Sequence, residues 1–358
     1  MACQPTDRVP VYDKLRNDRA ISSYAGRPLR IRDGFRTVCL AIDRTHDLFS
    51  NIRVPQRSGR TPGEDGRARH NSRWSTWIMD RRYERLTDLA RDAEADVRAC
   101  LAWRPDAAYV AEVRREFEAP FAHMHPTDPP VRMIGSSKTL DEIHSLCGLE
   151  QFCDLLADEP ALVRDWLEAR TQAAVAHAHA IAPLGLSPLA QHAEDIAYKG
   201  RTMYSPAMLR RYLFPGLKRI VAAWHEHGVR VMFHSDGYLM EVLDDLLDCG
   251  FDGMHPNEVA AGMDLADVRR KVGRRMFLAG GIDVSQLLPF GSVAEVRAAC
   301  DHAVAVAAPG YFIGSTTEMQ WTVPLRNVRA VYETPGRLAA TRCAAANQAG
   351  RRPRAIRA

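Results

Sequence analysis

The chain has 358 residues, 46% of them hydrophobic and 26% charged, with a formal net charge of +4. That length suits two average domains or one large α/β barrel, and the apolar fraction is ample for a substantial core. No apolar run approaches the ~20 residues that span a bilayer, and the polar N-terminus (Gln4, Asp7, Arg8) is unlike a signal peptide, so a cytoplasmic protein without membrane contact is expected. The eight cysteines include no Cys-x-x-Cys pair, which gives neither a zinc ribbon nor a disulfide framework. The charge is small for the length, so no nucleic-acid partner is expected. The terminal Arg351–Arg357 run reads as part of a disordered basic tail over residues 341–358.

In chain order, Val9-Pro10-Val11-Tyr12 is a candidate first strand, followed by helical stretches near residues 36–47 and 80–100. Between them, Arg53–Arg73 is rich in Gly, Pro, Arg and Asp and reads as a long mobile loop, while Arg73–Met79 alternates as a strand would. From Pro130 onward the alternation is regular. Strand-like segments at Val131–Gly135, Leu189–Ala193, Val229–His234, Gly253–Pro256, Met276–Gly281 and Gly310–Ser315 are separated by helical periodicity. The helices are expected over Leu140–Leu155, Pro160–Ile181, Ser205–His227, Met240–Cys249, Asp264–Val272, Ser292–Ala307 and Pro324–Tyr332. Short strands alternating with helices imply parallel βαβ units. At least six such units favour a closed (β/α)8 TIM-type barrel with an N-terminal helical extension, one domain over residues 1–340, rather than an open doubly wound sheet.

Acidic and imidazole residues recur just after these strands: Glu194 and Asp195, His234 and Asp236, His255 and Glu258, then Asp283 and Glu318. In a parallel barrel these positions open onto one face, where catalytic groups sit, so they should converge on one cavity. Carboxylates gathered that closely repel one another, so at least one should titrate abnormally. His234-x-Asp236 with a distant Glu318 is metal-ligand spacing, suited to zinc, manganese or iron(II). The plain alternative is that His234 bonds a neighbouring loop and Asp236 caps a helix. Glu194, Asp195 and Asp283 are candidates for catalysis, though Asp283 could instead cap Ser285–Leu288. Glu258, His255, Tyr198 and Gly281 are candidates for substrate contact, Gly280-Gly281 because it lets a ligand approach the backbone. His123 and His125 resemble a metal tract in a loop, and His177, His179, His225 and His227 read as structural or surface residues. No nucleophile elbow, Walker loop or Gly-x-Gly-x-x-Gly follows a strand, which argues against nicotinamide chemistry.

Several of these stretches together resemble the uroporphyrinogen decarboxylase superfamily, which includes zinc-dependent corrinoid and coenzyme M methyltransferases. They are Tyr204–Lys218, Phe233–Gly237, Ala261–Asp264, Gly280–Asp283 with Leu288–Gly291, and Ala308–Tyr311. The resemblance implies a TIM-type barrel. It departs from true decarboxylases at the N-terminal segment whose arginines grip substrate carboxylates, for which Ala25-Gly26-Arg27 matches only a fragment. It departs from the methyltransferase branch where His-x-Cys becomes His234-x-Asp236 and where Ser315–Trp321 holds no second cysteine. A metal on His234, Asp236 and Glu318, zinc before manganese or iron, is the reading the resemblance supports. It implies methyl transfer between a small molecule and a thiol or a corrinoid carried by a partner protein. The alternatives are a metal-independent decarboxylase and a non-catalytic barrel that binds a tetrapyrrole or corrinoid protein. The oligomeric state is open.

Overall fold

The computed structural model of the chain describes residues 8–63, 67–78 and 83–338, so the basic tail expected over 341–358 lies outside the described residues. The strands in chain order are β1 (Leu15–Arg16), β2 (Leu48–Phe49), β3 (Gly59–Pro62), β4 (Ala68–Asn71), β5 (Thr76–Ile78), β6 (Val131–Arg132), β7 (Ile134–Gly135) and β8 (Leu189–Ala193). They continue as β9 (Ala197–Tyr198), β10 (Arg201–Thr202), β11 (Arg230–His234), β12 (Gly253–His255), β13 (Phe277–Ile282), β14 (Tyr311–Ser315) and β15 (Met319–Gln320).

The fold is α/β, built on a parallel sheet in the order β14-β13-β12-β11-β8-β7. Helices follow β8, β11, β12, β13 and β14, as the crossovers between parallel strands require. Because both faces are covered, the strands are apolar runs rather than alternating ones: Val231, Met232 and Phe233 are all fully buried. The N-terminal third joins the same array. β2 pairs in parallel with β6, Tyr12 bridges Leu48, and Val11 bridges Ile313 of β14. Tyr12, Leu48, Met133, Leu189, Met232, Phe277 and Ala279 form a small buried cluster of their own, apart from the main core between strands and helices.

Local chemistry explains where expected helices split. The segment from Ser205 forms two helices, Pro206–Tyr212 and Phe214–His225, because Pro215 has no N–H to continue the ladder. Ser205 caps the first through its side chain, 3.2 Å from the Met208 amide. Likewise Gly148, at φ +81°, divides Leu140–Cys147 from Leu149–Asp158. The expected loop over 53–73 contains two strands: β3 and β4 pair antiparallel, with β5 beyond them, in a sheet with an exposed or half-buried surface, while residues 53–58 are irregular. β5 falls within the alternating Arg73–Met79 stretch, whereas β3 and β4 bury too little for hydrophobic alternation to announce them. Among the described residues no helix is long and apolar enough to cross a membrane.

Candidate active site

The ends of the parallel strands open onto a cavity of about 420 Å³. It is lined by five basic residues, Lys14, Arg16, Arg53, Arg132 and Lys138, together with Asp195 and His234; the Arg132 guanidinium itself donates to the Glu116 and Phe117 carbonyls. Gln191, Ala193 and Asp195 line it at a spacing of two, as alternate residues of an extended chain must. His192 and Glu194 therefore turn the other way, into full burial.

Lys14 reaches the cavity from a rigid anchor. Asp13 Oδ1 accepts from the Lys14 amide and the Ser315 hydroxyl, each at 2.8 Å, and Oδ2 accepts from the Ser315 amide at 2.9 Å. Burial raises the Asp13 carboxyl to about 6 against these bonds. The Lys14 carbonyl accepts from Met319 N–H at 2.9 Å. Its Nζ lies 3.0 Å from His234 Nε2. Burial draws the Lys14 ammonium below the ordinary lysine range, while the charges of Asp236, Asp195 and Glu318 oppose the loss of its proton.

His234 ends β11 and is in register with His255, which ends β12. The two rings stack with centroids 4.9 Å apart, and their Nδ1 atoms are 2.8 Å apart. Burial, then the Lys14 and His255 charges, push His234 well below its ordinary value, and burial and Lys14 do the same to His255. Both rings are neutral at pH 7. An ammonium can only donate, so His234 Nε2 accepts from Lys14, and the ring proton sits on Nδ1 and donates to His255 Nδ1. Metal-binding histidines use the same tautomer, with one nitrogen facing the ion and the other N–H held by a supporting acceptor.

After His234 the chain turns sharply at Gly237, whose φ is +90°. A Cβ there would come within 2.5 Å of the Ala197–Tyr198 backbone, so only glycine permits the approach. The turn brings the Asp236 amide to 3.1 Å from Asp195 Oδ1. Asp236 Oδ2 accepts from Thr317 Oγ1 at 3.0 Å, but Oδ1 is buried without a hydrogen-bond partner among the described residues. Burial, then repulsion from Asp195, raises the Asp236 carboxyl to about 6. Asp195, His234 and Asp236 each offer an atom within 4.8 Å of the others. An orphaned carboxylate oxygen beside a second carboxylate and a neutral imidazole is a donor set that fits a divalent cation.

The other expected residues fall in different places. Glu318 forms an ion pair with Arg16 at 2.6 Å, and the compact donor set has Asp195 where Glu318 was expected. Glu194 is spent on the fold. It accepts from the amides of Thr139 and Asp141, from the Thr139 hydroxyl and from His192. Burial opposes its ionisation, but these bonds outweigh it and hold the carboxyl below its ordinary value. Asp283 accepts from the amides of Ser285, Gln286 and Leu287, the capping role that competed with catalysis. Glu258 Oε2 accepts from the Gly237 amide at 2.9 Å and so braces the Asp236 turn. His255 is fully buried behind His234, and its Nε2 has no partner. Gly281 faces protein: a Cβ there would meet the Leu265 side chain at 2.4 Å. Tyr198 is half exposed in the short β9–β10 ribbon. His123 packs edge-on against Phe35, and His177 bonds Tyr109 and the Gly135 carbonyl. The cationic wall was not anticipated. Its signal was the scarcity of lysine: Lys14 and Lys138 line the cavity in a chain with only Lys199, Lys218 and Lys271 besides.

The sequence model described as "Uroporphyrinogen decarboxylase (URO-D)" matches residues 140–337. The chain belongs to the uroporphyrinogen decarboxylase family. Among curated relatives, a methylcobamide:CoM methyltransferase MtaA of Methanosarcina barkeri is 28% identical over 208 residues, 57% of either chain. A second MtaA, from Methanosarcina barkeri (strain Fusaro / DSM 804), is 27% identical over 208 residues with the same coverage. The match thus spans under two thirds of these relatives' length. A solved methyltransferase from Methanosarcina mazei shares the fold, with a TM-score of 0.65 and 18% identity, covering 94% of this chain and 95% of that one. The family match contains Asp195, His234, Asp236 and Glu318, whereas Lys14, Arg16, Arg53, Arg132 and Lys138 all precede it.

Proposed function

We propose that this member of the uroporphyrinogen decarboxylase family is a metal-dependent, methyltransferase-like enzyme. Its methyl donor or acceptor is a small anionic molecule, and the other party is a thiol or a corrinoid on a partner protein. One observation carries the reading: Asp195, His234 and Asp236 gather a compact donor set at the edge of a cavity lined by five basic residues. The relatedness to MtaA proteins supports the reaction class. The circular order of pairings supports a closed (β/α)8 barrel. That order runs from β14 through β13, β12, β11, β8 and β7 to β6, then β2, Tyr12 and Val11, and back to β14. The separate cluster around Met232 draws on most of those strands, as a barrel interior does.

Asp195, His234 and Asp236 would hold a divalent ion, which would supply the Lewis acidity that favours the deprotonated form of a thiol or alcohol nucleophile. Zinc, manganese and iron(II) all suit one nitrogen and two oxygen donors. The chain's own residues do the remaining work. His255 keeps the His234 proton on Nδ1 and leaves Nε2 facing the cavity. Thr317 fixes the Asp236 carboxylate, Asp195 Oδ1 accepts from the Asp236 amide, and Glu258 holds the turn that carries them. Arg53 and Lys138, the latter shared with Asp141, face the anionic group of the substrate, while Arg16 is balanced by Glu318 and the Arg132 guanidinium is held by the Glu116 and Phe117 carbonyls.

The cationic wall also favours a second reading, metal-independent decarboxylation of a carboxylate substrate, in which Asp236 hydrogen-bonds the reacting molecule. One experiment separates the two: protein purified without an affinity tag is analysed for metal and assayed for methyl transfer from a methylated corrinoid to a thiol, with and without chelator. The proposal expects about one equivalent of metal that His234→Ala removes, and transfer that chelation abolishes. Chelator-resistant release of CO₂ from a carboxylate substrate, without bound metal, would hand the case to decarboxylation.

A further inference from the structure

We propose that the Lys14 ammonium is the resident cation of the Asp195–His234–Asp236 cluster, and that a divalent metal binds only by displacing it. The inference rests on the metal reading above and concerns what that metal must overcome. Lys14 Nζ lies 3.0 Å from His234 Nε2 and takes the only lone pair that ring offers to the cavity. The other nitrogen is engaged with His255 at 2.8 Å. A metal–imidazole bond is about 2.0–2.1 Å long and uses that same lone pair. The two cations therefore exclude each other at His234. The carboxylates of Asp195 and Asp236 that would hold the ion now act on Lys14, with Glu318 as a third. Asp236 Oδ1 stays buried and unpaired in this arrangement, so the lysine satisfies the site's charge without satisfying its donor set.

Displacement has somewhere to go. The Lys14 backbone is fixed through Asp13 and Met319, while its side chain borders the cavity of about 420 Å³. A swing of the side chain removes the ammonium from His234 and delivers it among Arg16, Arg53 and Lys138, where the anionic substrate is proposed to sit. Lys14 is thus a positioning residue that couples metal entry to the charge of the substrate wall.

The test is metal binding to the full-length chain, stripped of metal and titrated with Zn²⁺ against a chromophoric chelator. Lys14→Met should bind one equivalent roughly tenfold or more tightly than the parent, a coupling of ordinary size for two competing ligands. Lys14→Met/His234→Ala should return to background. His234-dependent binding that is equal or weaker in Lys14→Met overturns the competition and leaves the metal reading standing. Absence of His234-dependent binding from both proteins sinks the two together. Amine labelling of the parent, read by mass spectrometry at Lys14, covers the case of a variant that fails to fold. Saturating Zn²⁺ should raise labelling of Lys14, and unchanged or reduced labelling contradicts displacement.

Discussion

The wall of the cavity built by residues 8–53 and the wall built by residues 189–318 are held in different ways. The second wall is made of strand ends. β8, β11 and β12 are fully registered parallel strands, and Asp195, His234 and His255 inherit their positions from that ladder. The first wall has almost no ladder. β1 is two residues long and, among the described residues, pairs with β15, so Lys14 and Arg16 are placed by a few backbone bonds, such as Met319 N–H to the Lys14 carbonyl, together with side chains. Asp13 ties the segment to Ser315, and Asn17 donates to the carbonyls of Gln320 and Val323 at 2.7 and 2.9 Å. The Asp195–His234–Asp236 set thus rides on the family-matched segment, while Lys14 and Arg16 are held by a few local contacts.

The largest effect expected from breaking this contrast is on the scaffold side. Glu194→Ala strips a fully buried carboxylate from His192 and two amides, and should cost roughly 3–5 kcal/mol of stability. Chemical denaturation checks it. The Glu194 carboxyl is held below its ordinary value when folded, so its contribution is present above the unfolded value of about 4.5 and fades as pH falls through the folded one. Glu194→Gln should flatten that acid limb.

Asp13 behaves in the opposite sense, which sharpens the comparison. Its carboxyl is raised to about 6, so between about 4 and 6 the folded chain holds a proton that the unfolded chain has lost. Its share of stability is therefore present below about pH 4 and lost as pH rises through 6. Asp13→Ala should remove that pH dependence and cost roughly 1–3 kcal/mol by orphaning the Ser315 amide. Urea titrations at pH 4.5 and 7.5 read both effects.

Within the site, His255→Phe keeps the ring volume but leaves His234 Nδ1–H without its acceptor. Activity or metal affinity should fall roughly 10–100-fold, as when supporting partners of metal ligands are removed. Replacement without consequence would place His255 outside the chemistry. The smallest effect belongs to the substrate wall. Lys138→Met should raise KM about tenfold and leave kcat nearly unchanged, since one charge-assisted contact to the ligand is lost. An equal loss in kcat would mean that Lys138 acts on the reacting atoms.

The same contrast explains what could be read from sequence. From Pro130 onward the strands are buried apolar runs that end in polar residues, so both the βα order and the phase of Asp195, His234 and Asp236 were legible. Two-residue strands such as β1 and β2 give no periodicity to detect, and the exposed β3 and β4 give no hydrophobic alternation, unlike β5 within Arg73–Met79. Which carboxylate joins His234 and Asp236 is a matter of geometry that spacing does not carry. Spacing alone allowed Glu318 as the third donor, but Arg16 lies far away in sequence and claims it at 2.6 Å. The choice between Glu194 and Asp195 was decidable, because alternate residues of an extended chain face opposite ways.

The central claim is that the site's metal sits on Asp195, His234 and Asp236, beside a cationic wall supplied from outside the family-matched segment. Anomalous diffraction at the zinc edge from a Zn²⁺-soaked crystal tests it most directly. The account predicts one ion bound through His234 Nε2 and the carboxylates of Asp195 and Asp236, with Glu318 still on Arg16. An ion held by Glu318 in place of Asp195, or no peak at His234, would contradict it.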